Sequence, residues 1–321
     1  MAATMITIRV LSVKLHTTRP AATLPNQVSV YMRNFKTVGI IAKHGDTRLA
    51  PTLAALTTFL RARGLTPLLD ASADGLVPDE ALHEREAIAR RCDLAIVVGG
   101  DGTLLNAARS LACCEVPLVG INLGRLGFLA DISPEEMAPR LDEILAGDYI
   151  EEPRALLQAE ITGGEEGPGD CYDALNDVVL HICSDVRMIE FDIRIDGRFV
   201  SSQRADGLVI ATPTGSTAYA LSGGGPILSP SLPAVVLVPI CPHTLTSRPL
   251  VVAASSCIEI SLSAHNTAPA QVAFDGQSCR LVQPDEVIRI RQKEKPLRLL
   301  HPNTYDHFHI LRAKLHWGEQ P

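Results

Sequence analysis

The chain has 321 residues, about twice the usual single-domain length, so two domains are expected. It is 46% hydrophobic with 22 prolines and 23 glycines, the profile of a soluble globular enzyme rich in turns. No apolar run approaches the ~18 residues of a membrane span, and a net charge of −7 gives nucleic acid no electrostatic footing. Residues 1–36 carry five cations (Arg9, Lys14, Arg19, Arg33, Lys36) and no acid. Such a start reads either as a transit peptide or as an over-extended beginning with Met32 as the true first residue. The second reading is preferred, and a disordered extension is expected in both cases.

From Thr37 short apolar runs alternate with helix-spaced stretches. "VGIIA" (Val38–Ala42) is a strand, and Thr47–Arg63 a helix closed by Gly64 as a left-handed C′ residue. "LTPLLD" is a second strand, Pro78–Arg91 a second helix, "LAIVVGG" a third strand and "EVPLVGIN" a fourth. Buried strands alternating with helices imply a parallel sheet covered on both faces. In "SPEEM" Ser133 is the expected N-cap of a helix running to about Ala146, with Pro134 at N1 and Glu136 completing a capping box. Beyond about Pro153 the rhythm becomes mainly β. "FDIRIDGRFV" is a hairpin turning at Asp196-Gly197, and "GLVIAT", "AVVLVPI", "CIEISLS", "AQVAFD" and "EVIRIRQ" are further strands. "GGEEGPGD" (Gly163–Asp170) is expected to be an exposed loop. The eight cysteines form no C-x-x-C and lie near no histidine at zinc-finger spacing, so they read as free thiols of a reducing cytoplasm, and no protein metal site is expected.

Two stretches carry chemistry. In "VVGGDGTLLNAA" a buried strand runs into "GGDGT" and then into a helix expected from about Thr103. It lacks the Walker lysine, and Leu105 stands where the last glycine of GxGxxG would be. Ligands collect at the carboxyl ends of parallel strands, glycines let the backbone approach them, and a helix N-terminus favours phosphate. An aspartate there is poorly explained by phosphate binding. It suits a base beside a hydroxyl or a ligand to a phosphate-bridging metal, with a plain turn former or N-cap as the alternative. The second stretch, "TPTGSTAYALSGGGPILSP" (Thr212–Pro230), is too small and polar for a core and reads as a backbone-lined pocket of fixed shape, with Tyr219 placed to stack on a planar base. Arg204 and Asp206 in "QRADGL" and Asn176 and Asp177 in "YDALNDVV" fall near the same pocket, although each taken alone is more often a surface or turn residue. His243 in "CPHTLTSRP" is read as a structural histidine at the pocket rim.

In order along the chain, "GGDGT", "INLGRLGFL", "LNDVVL", "QRADGL", "TPTGSTAYALSGGGPI", "PHTLTSRPLV" and "DGQ" resemble the ATP-NAD kinases of bacterial type, over roughly Thr37 to Trp317. GGDGT alone is shared with lipid kinases and phosphofructokinases; the Thr212–Ile227 stretch is the specific part. The resemblance implies an α/β amino-terminal domain (a Rossmann-like parallel sheet) over 37–150 and a β-rich, NAD-binding carboxyl-terminal domain over 151–300. A segment over 301–321 would return to the first domain. It implies ATP-dependent phosphorylation of the 2′-hydroxyl of the adenosine ribose of NAD, with Mg²⁺ arriving on ATP, in a homodimer or homotetramer whose neighbouring subunit helps hold NAD. By position, Asp101 resembles the residue that activates that hydroxyl, with Gly102 beside it. Asn176 and Asp177 match an NAD-holding pair that is usually Asn-Glu. Arg187 sits at a variable contact position, and Arg204 and Asp206 at nucleotide-contacting ones, a basic residue at 204 resembling members that prefer ATP to polyphosphate. Thr217, Ala218, Tyr219 and Ser222 match the adenine side, and Gln277 a late contact. Another GGDGT-type kinase acting on a lipid or sugar phosphate, and a non-catalytic NAD-binding sensor, are the alternatives.

Overall fold

The computed structural model describes residues 35–78, 80–124, 127–163, 170–183, 188–266 and 269–317. The extension expected over 1–36, apart from its last two residues, the centre of the "GGEEGPGD" loop and Arg187 lie outside them.

The first layer is built on β1 (Thr37–Ala42), β2 (Thr66–Asp70), β3 (Leu82–His83), β4 (Leu94–Val98), β5 (Leu118–Ile121) and β6 (Ile150–Arg154). Helices α1 (Ala50–Ala62), α2 (Arg85–Arg91), α3 (Asp101–Leu111) and α4 (Met137–Leu145) lie between these strands in the chain. β4 is buried at all five positions because both sheet faces are covered. Leu53, Leu56 and Leu60 of α1 pack with Leu141 and Ile144 of α4 on one face, and Ile88 of α2 with Leu104, Ala108 and Leu111 of α3 on the other. The helix expected over Pro78–Arg91 is confined to Arg85–Arg91. Leu82 and His83 instead pair with Leu69 and Asp70, so a free sheet edge outcompetes the apolar spacing. The capping hydrogen bond of Ser133 forms, Glu136 N to Ser133 Oγ at 3.3 Å, but it closes a turn that precedes the regular helix at Met137.

The second layer comprises β7 (Leu157–Thr162), β8 (Asp170–Ala174), β9 (Asp177–Ile182), β10 (Ile189–Ile195), β11 (Arg198–Ala205) and β12 (Gly207–Ala211). It continues with a short helix α5 (Tyr219–Ser222), then β13 (Ala234–Ile240), β14 (Leu250–Ala253), β15 (Ile258–Leu262), β16 (Ala270–Phe274), β17 (Ser278–Val282) and β18 (Val287–Gln292). They form two six-stranded sheets, ordered β11-β10-β15-β18-β7-β8 and β14-β13-β12-β9-β16-β17. Their inner faces share one core, with Phe191, Ile260 and Ile288 meeting Leu180, Ile210 and Phe274. The β10–β11 hairpin turns at Asp196 (φ 51) and Gly197 (φ 75), the primed geometry that Asp-Gly favours.

The chain ends in β19 (Leu297–His301) and α6 (His307–Leu315). β19 enters the first sheet, giving the order β3-β2-β1-β4-β5-β19-β6. The sheet therefore takes in residues beyond the boundary expected at 150, and its last inserted strand begins before 301. β6 is hard to read as a strand because "IEEPR" carries two acids and a proline. It lies at the sheet edge, where a missing N–H is tolerated. Among the described residues no helix is long and apolar enough to cross a membrane.

Candidate functional site

β4 ends at Val98, and Gly99 and Gly100 turn the chain straight into α3, which begins at Asp101 rather than near Thr103. A Cβ at Gly99 would collide with the Thr103 side chain, so the turn is closed tightly over its own helix. Asp101 occupies the first helical position, and its carboxylate is held by three backbone amides. Phe128 N donates to Oδ2 at 2.8 Å, while Leu129 N and Ala130 N donate to Oδ1 at 3.1 and 3.2 Å. A carboxylate offers about four lone-pair positions, so one on Oδ2 is left for a substrate hydroxyl. Gly127 explains itself here, since a Cβ would strike Asp101 Oδ1 and the Ala130 carbonyl.

A cavity of about 530 Å³ opens at the carboxyl ends of β1 and β4, with Ala42, Lys43, His44, Arg85, Gly100, Gly102 and Gln277 among its walls. Its cations are held in place. Asp70 clamps Arg85 at 2.6 and 2.9 Å, and Asp46 stands 3.6 Å from Lys43 Nζ. Cations beside the N-terminus of an eleven-residue helix suit the phosphates of a nucleotide. Lys43, His44 and Arg85 have no motif around them, and sequence reading missed all three.

A second cavity, of about 400 Å³, is lined by Asn176, Asp177, His181, Ala218, Tyr219 and Asp275 among others. One wall is the stretch from Thr212, folded onto the outer face of the β12 sheet, where Ala220 and Leu228 pack against Val209, Ala211 and Val236. Buried hydroxyls give that stretch its shape. Thr212 Oγ1 donates to Leu175 O at 2.6 Å, and Ser216 Oγ donates to Pro213 O at 2.6 Å while accepting from Leu228 N at 2.9 Å. The buried Arg154 of β6 donates to Thr214 Oγ1 at 3.2 Å. Gly215 lies so close to Asn176 that a Cβ would enter its backbone. Asp177 is 4% exposed, and burial, with the charge of Asp275 added, pushes its carboxyl up to about 7.

The hairpin turn between β16 and β17 is a wall common to both cavities: Asp275 and Gly276 face the second, Gln277 the first. Asp275 (φ 52) and Gly276 (φ 62) adopt the primed turn. The Asp275 carboxylate accepts from the amides of Leu175, Asn176 and Asp177 at 3.1, 2.7 and 3.2 Å. Arg109 of α3 donates to Asp275 Oδ2 at 3.0 Å and to Gln277 Oε1 at 2.8 Å, and Gln277 Nε2 donates to Gly102 O at 2.7 Å. The sequence signal for Asp275 was "DGQ", read only for its glutamine.

Of the expected residues, Asn176, Asp177, Ala218 and Tyr219 meet in one cavity, Gly102 and Gln277 in the other, and Asp101 sits beside Gly102. Thr217 adjoins Ala218, its hydroxyl turned back to Thr214 O at 3.1 Å. Arg204, Asp206, Ser222 and His243 line neither. Ala211 pairs with Asp177 and Gly207 with His181, so Asp206, five residues from Ala211, lies about 17 Å along the strand from Asp177.

A cationic cleft at parallel strand ends, a carboxylate at the head of its helix, and a β-walled pocket joined to it by one turn define a two-domain nucleotide-dependent phosphotransferase. Residues 38–149 match the ATP-NAD kinase N-terminal domain and residues 175–301 the ATP-NAD kinase C-terminal domain. The chain is 52% identical to the NAD kinase of Nitrosococcus oceani, over 89% of this chain and 98% of that protein. It is 47% identical to that of Ectopseudomonas mendocina over 90% and 98%. Among solved structures it is similar to yeast NADH kinase complexed with NADH, with TM-score 0.82 and 25% identity over 90% of each chain. It is also similar to the NAD kinase of Archaeoglobus fulgidus in complex with ATP, with TM-score 0.68 and 27% identity over 87% of this chain and 98% of the other. The chain belongs to the ATP-NAD kinase family.

Proposed function

We propose that this protein transfers the γ-phosphoryl group of ATP to the 2′-hydroxyl of the adenosine ribose of NAD, forming NADP, with Asp101 as the general base. The observation that carries this reading is one carboxylate with a single open lone pair at the head of α3, where that helix meets the turn common to both cavities. ATP fits the polar cleft, its phosphates facing Lys43, His44, Arg85 and the α3 N-terminus. NAD fits the second cavity, with Tyr219 against the adenine and Asn176 and Asp177 on ribose oxygens. A 2′-hydroxyl is a poor nucleophile, and a positioned carboxylate taking its proton as attack proceeds is worth roughly 10²–10⁴-fold. The remainder is alignment and charge neutralisation along the transferred phosphoryl group.

Mg²⁺ enters as part of the Mg-ATP substrate. Such an ion is held mainly through phosphate oxygens. Arg204 and Asp206, which line neither cavity of their own chain, fit contacts to NAD bound by a neighbouring copy in a homodimer or homotetramer. The test is NADP⁺ formation from NAD⁺ and Mg-ATP, read by an NADP-specific dehydrogenase. Asp101→Asn is expected to lower kcat by roughly 10²–10⁴-fold with NAD binding little changed. Binding and rate lost together would remove Asp101 from the role of base.

A further inference from the structure

We propose that Arg109 and Asp275 are positioning residues for the reaction, a clamp between the two domains that fixes the Asn176–Asp177 pair relative to Asp101. This rests on the reading of that pair as NAD contacts. Asp101 and Arg109 share one rigid helix, α3. Gln277 and Arg109 tie that helix at both ends of a two-turn span, through Gly102 O at 2.7 Å and the Arg109 guanidinium at 2.8 Å. The second arm of Arg109 reaches Asp275, whose side chain is fully enclosed. Asp275 gathers three consecutive amides, those of Leu175, Asn176 and Asp177. Asp275 N in turn donates to Asp177 O at 3.0 Å. The chain from Asp101 to Asp177 is thus helix, ion pair and amide cradle, with no flexible link.

The clamp is electrostatic as well as geometric. The titratable and charged groups facing Asp177 are Asp275 from the β16–β17 turn, Arg109 behind it on α3, His181 on β9 and Tyr219 on α5. β12, paired alongside, presents Ala211 opposite Asp177. Burial first, and the Asp275 charge in addition, hold the Asp177 carboxyl up, and Arg109 is ion-paired to that charge. Removing Asp275's charge and removing Arg109's charge should therefore move Asp177 in opposite directions.

The experiment measures NAD dissociation from pH 5.5 to 8.5 for the full chain and for Asp275→Asn, Arg109→Met and Arg109→Lys, each first checked for cooperative melting. The midpoint of the wild-type profile is expected near 7. It should fall by about half a pH unit or more in Asp275→Asn and rise by a similar amount in Arg109→Met. Arg109→Lys, which keeps the charge but not the fork, should keep the midpoint while raising KM for NAD several-fold, with a smaller change in kcat. Shifts of one sign in both charge-removing variants, or none in either, would overturn the proposal. If the wild type binds no NAD at any pH, the reading of the pair fails. The clamp is then decided by ¹³C-carboxyl titration of Asp177, assigned with Asp177→Asn, in which opposite shifts support it and unmoved titrations overturn it.

Discussion

At Asp177 burial works against the charge that the proposed NAD contact would use. Its carboxyl is raised from 3.8 to about 7, so between those values the folded protein holds a proton that the unfolded chain has lost. Stability should therefore fall as pH rises from about 4 to 7 and level off above. Asp177→Asn removes the term: it is expected to raise Tm by several °C at pH 8, at about 2–4 °C per kcal/mol relieved, and by much less at pH 5. Thermal melts of both proteins across that range check it, and a gain independent of pH would sink the explanation. The same single residues show how far sequence reaches. Asp101 and Asp177 stood out through their neighbours. Arg109 and Asp275, separated by 166 positions, become a pair only because α3 and one hairpin turn pack together.

The stretch from Thr212 to Ser222 does its work as an element. Its hydroxyls bond inward to Leu175 O, Pro213 O and Leu228 N, so its polarity serves its shape before it serves any ligand. Gly215 is the point of closest approach, against the Asn176 backbone. Gly215→Ala must separate the two, at a cost of about 1–3 kcal/mol of strain. We expect NAD affinity to fall tenfold or more and Tm to drop by several °C, measured by calorimetric titration and melting. Unchanged affinity would mean that the stretch and the Asn176–Asp177 pair do not form one wall. That the segment is rigid was legible in its composition. What it lies on was not, because the outer face of the β12 sheet exists only after four other strands have paired with β9, β12 and one another.

At the scale of the molecule, the last strand closes the first domain. β19 stands between β5 and β6, pairing in parallel with one and antiparallel with the other. His301 at its end is buried between Asp131 and Glu152 and stacked on Tyr305, and Arg154 carries the network on to Thr214. Ending the chain after Glu294 removes that strand and exposes the edges of β5 and β6 together. Such a protein is expected to lose cooperative melting and to show early amide exchange in Leu118–Ile121; retained two-state melting would show β19 to be peripheral.

The alternation of apolar runs with helical spacing, the change to short β segments after Pro153 and the positions of the GGDGT and Thr212–Ile227 stretches were determined by the chain's own local pattern. Periodicity, turn chemistry and glycine placement act over a few residues, so they can be read in order. The entry of β19 into the first sheet, the edge pairing of Leu82 and His83, the cations of the polar cleft and the Arg109–Asp275 clamp were decided by tertiary structure alone. Each is a pairing between distant segments, chosen by which sheet edge, buried charge or backbone amide remained unsatisfied once the rest had folded.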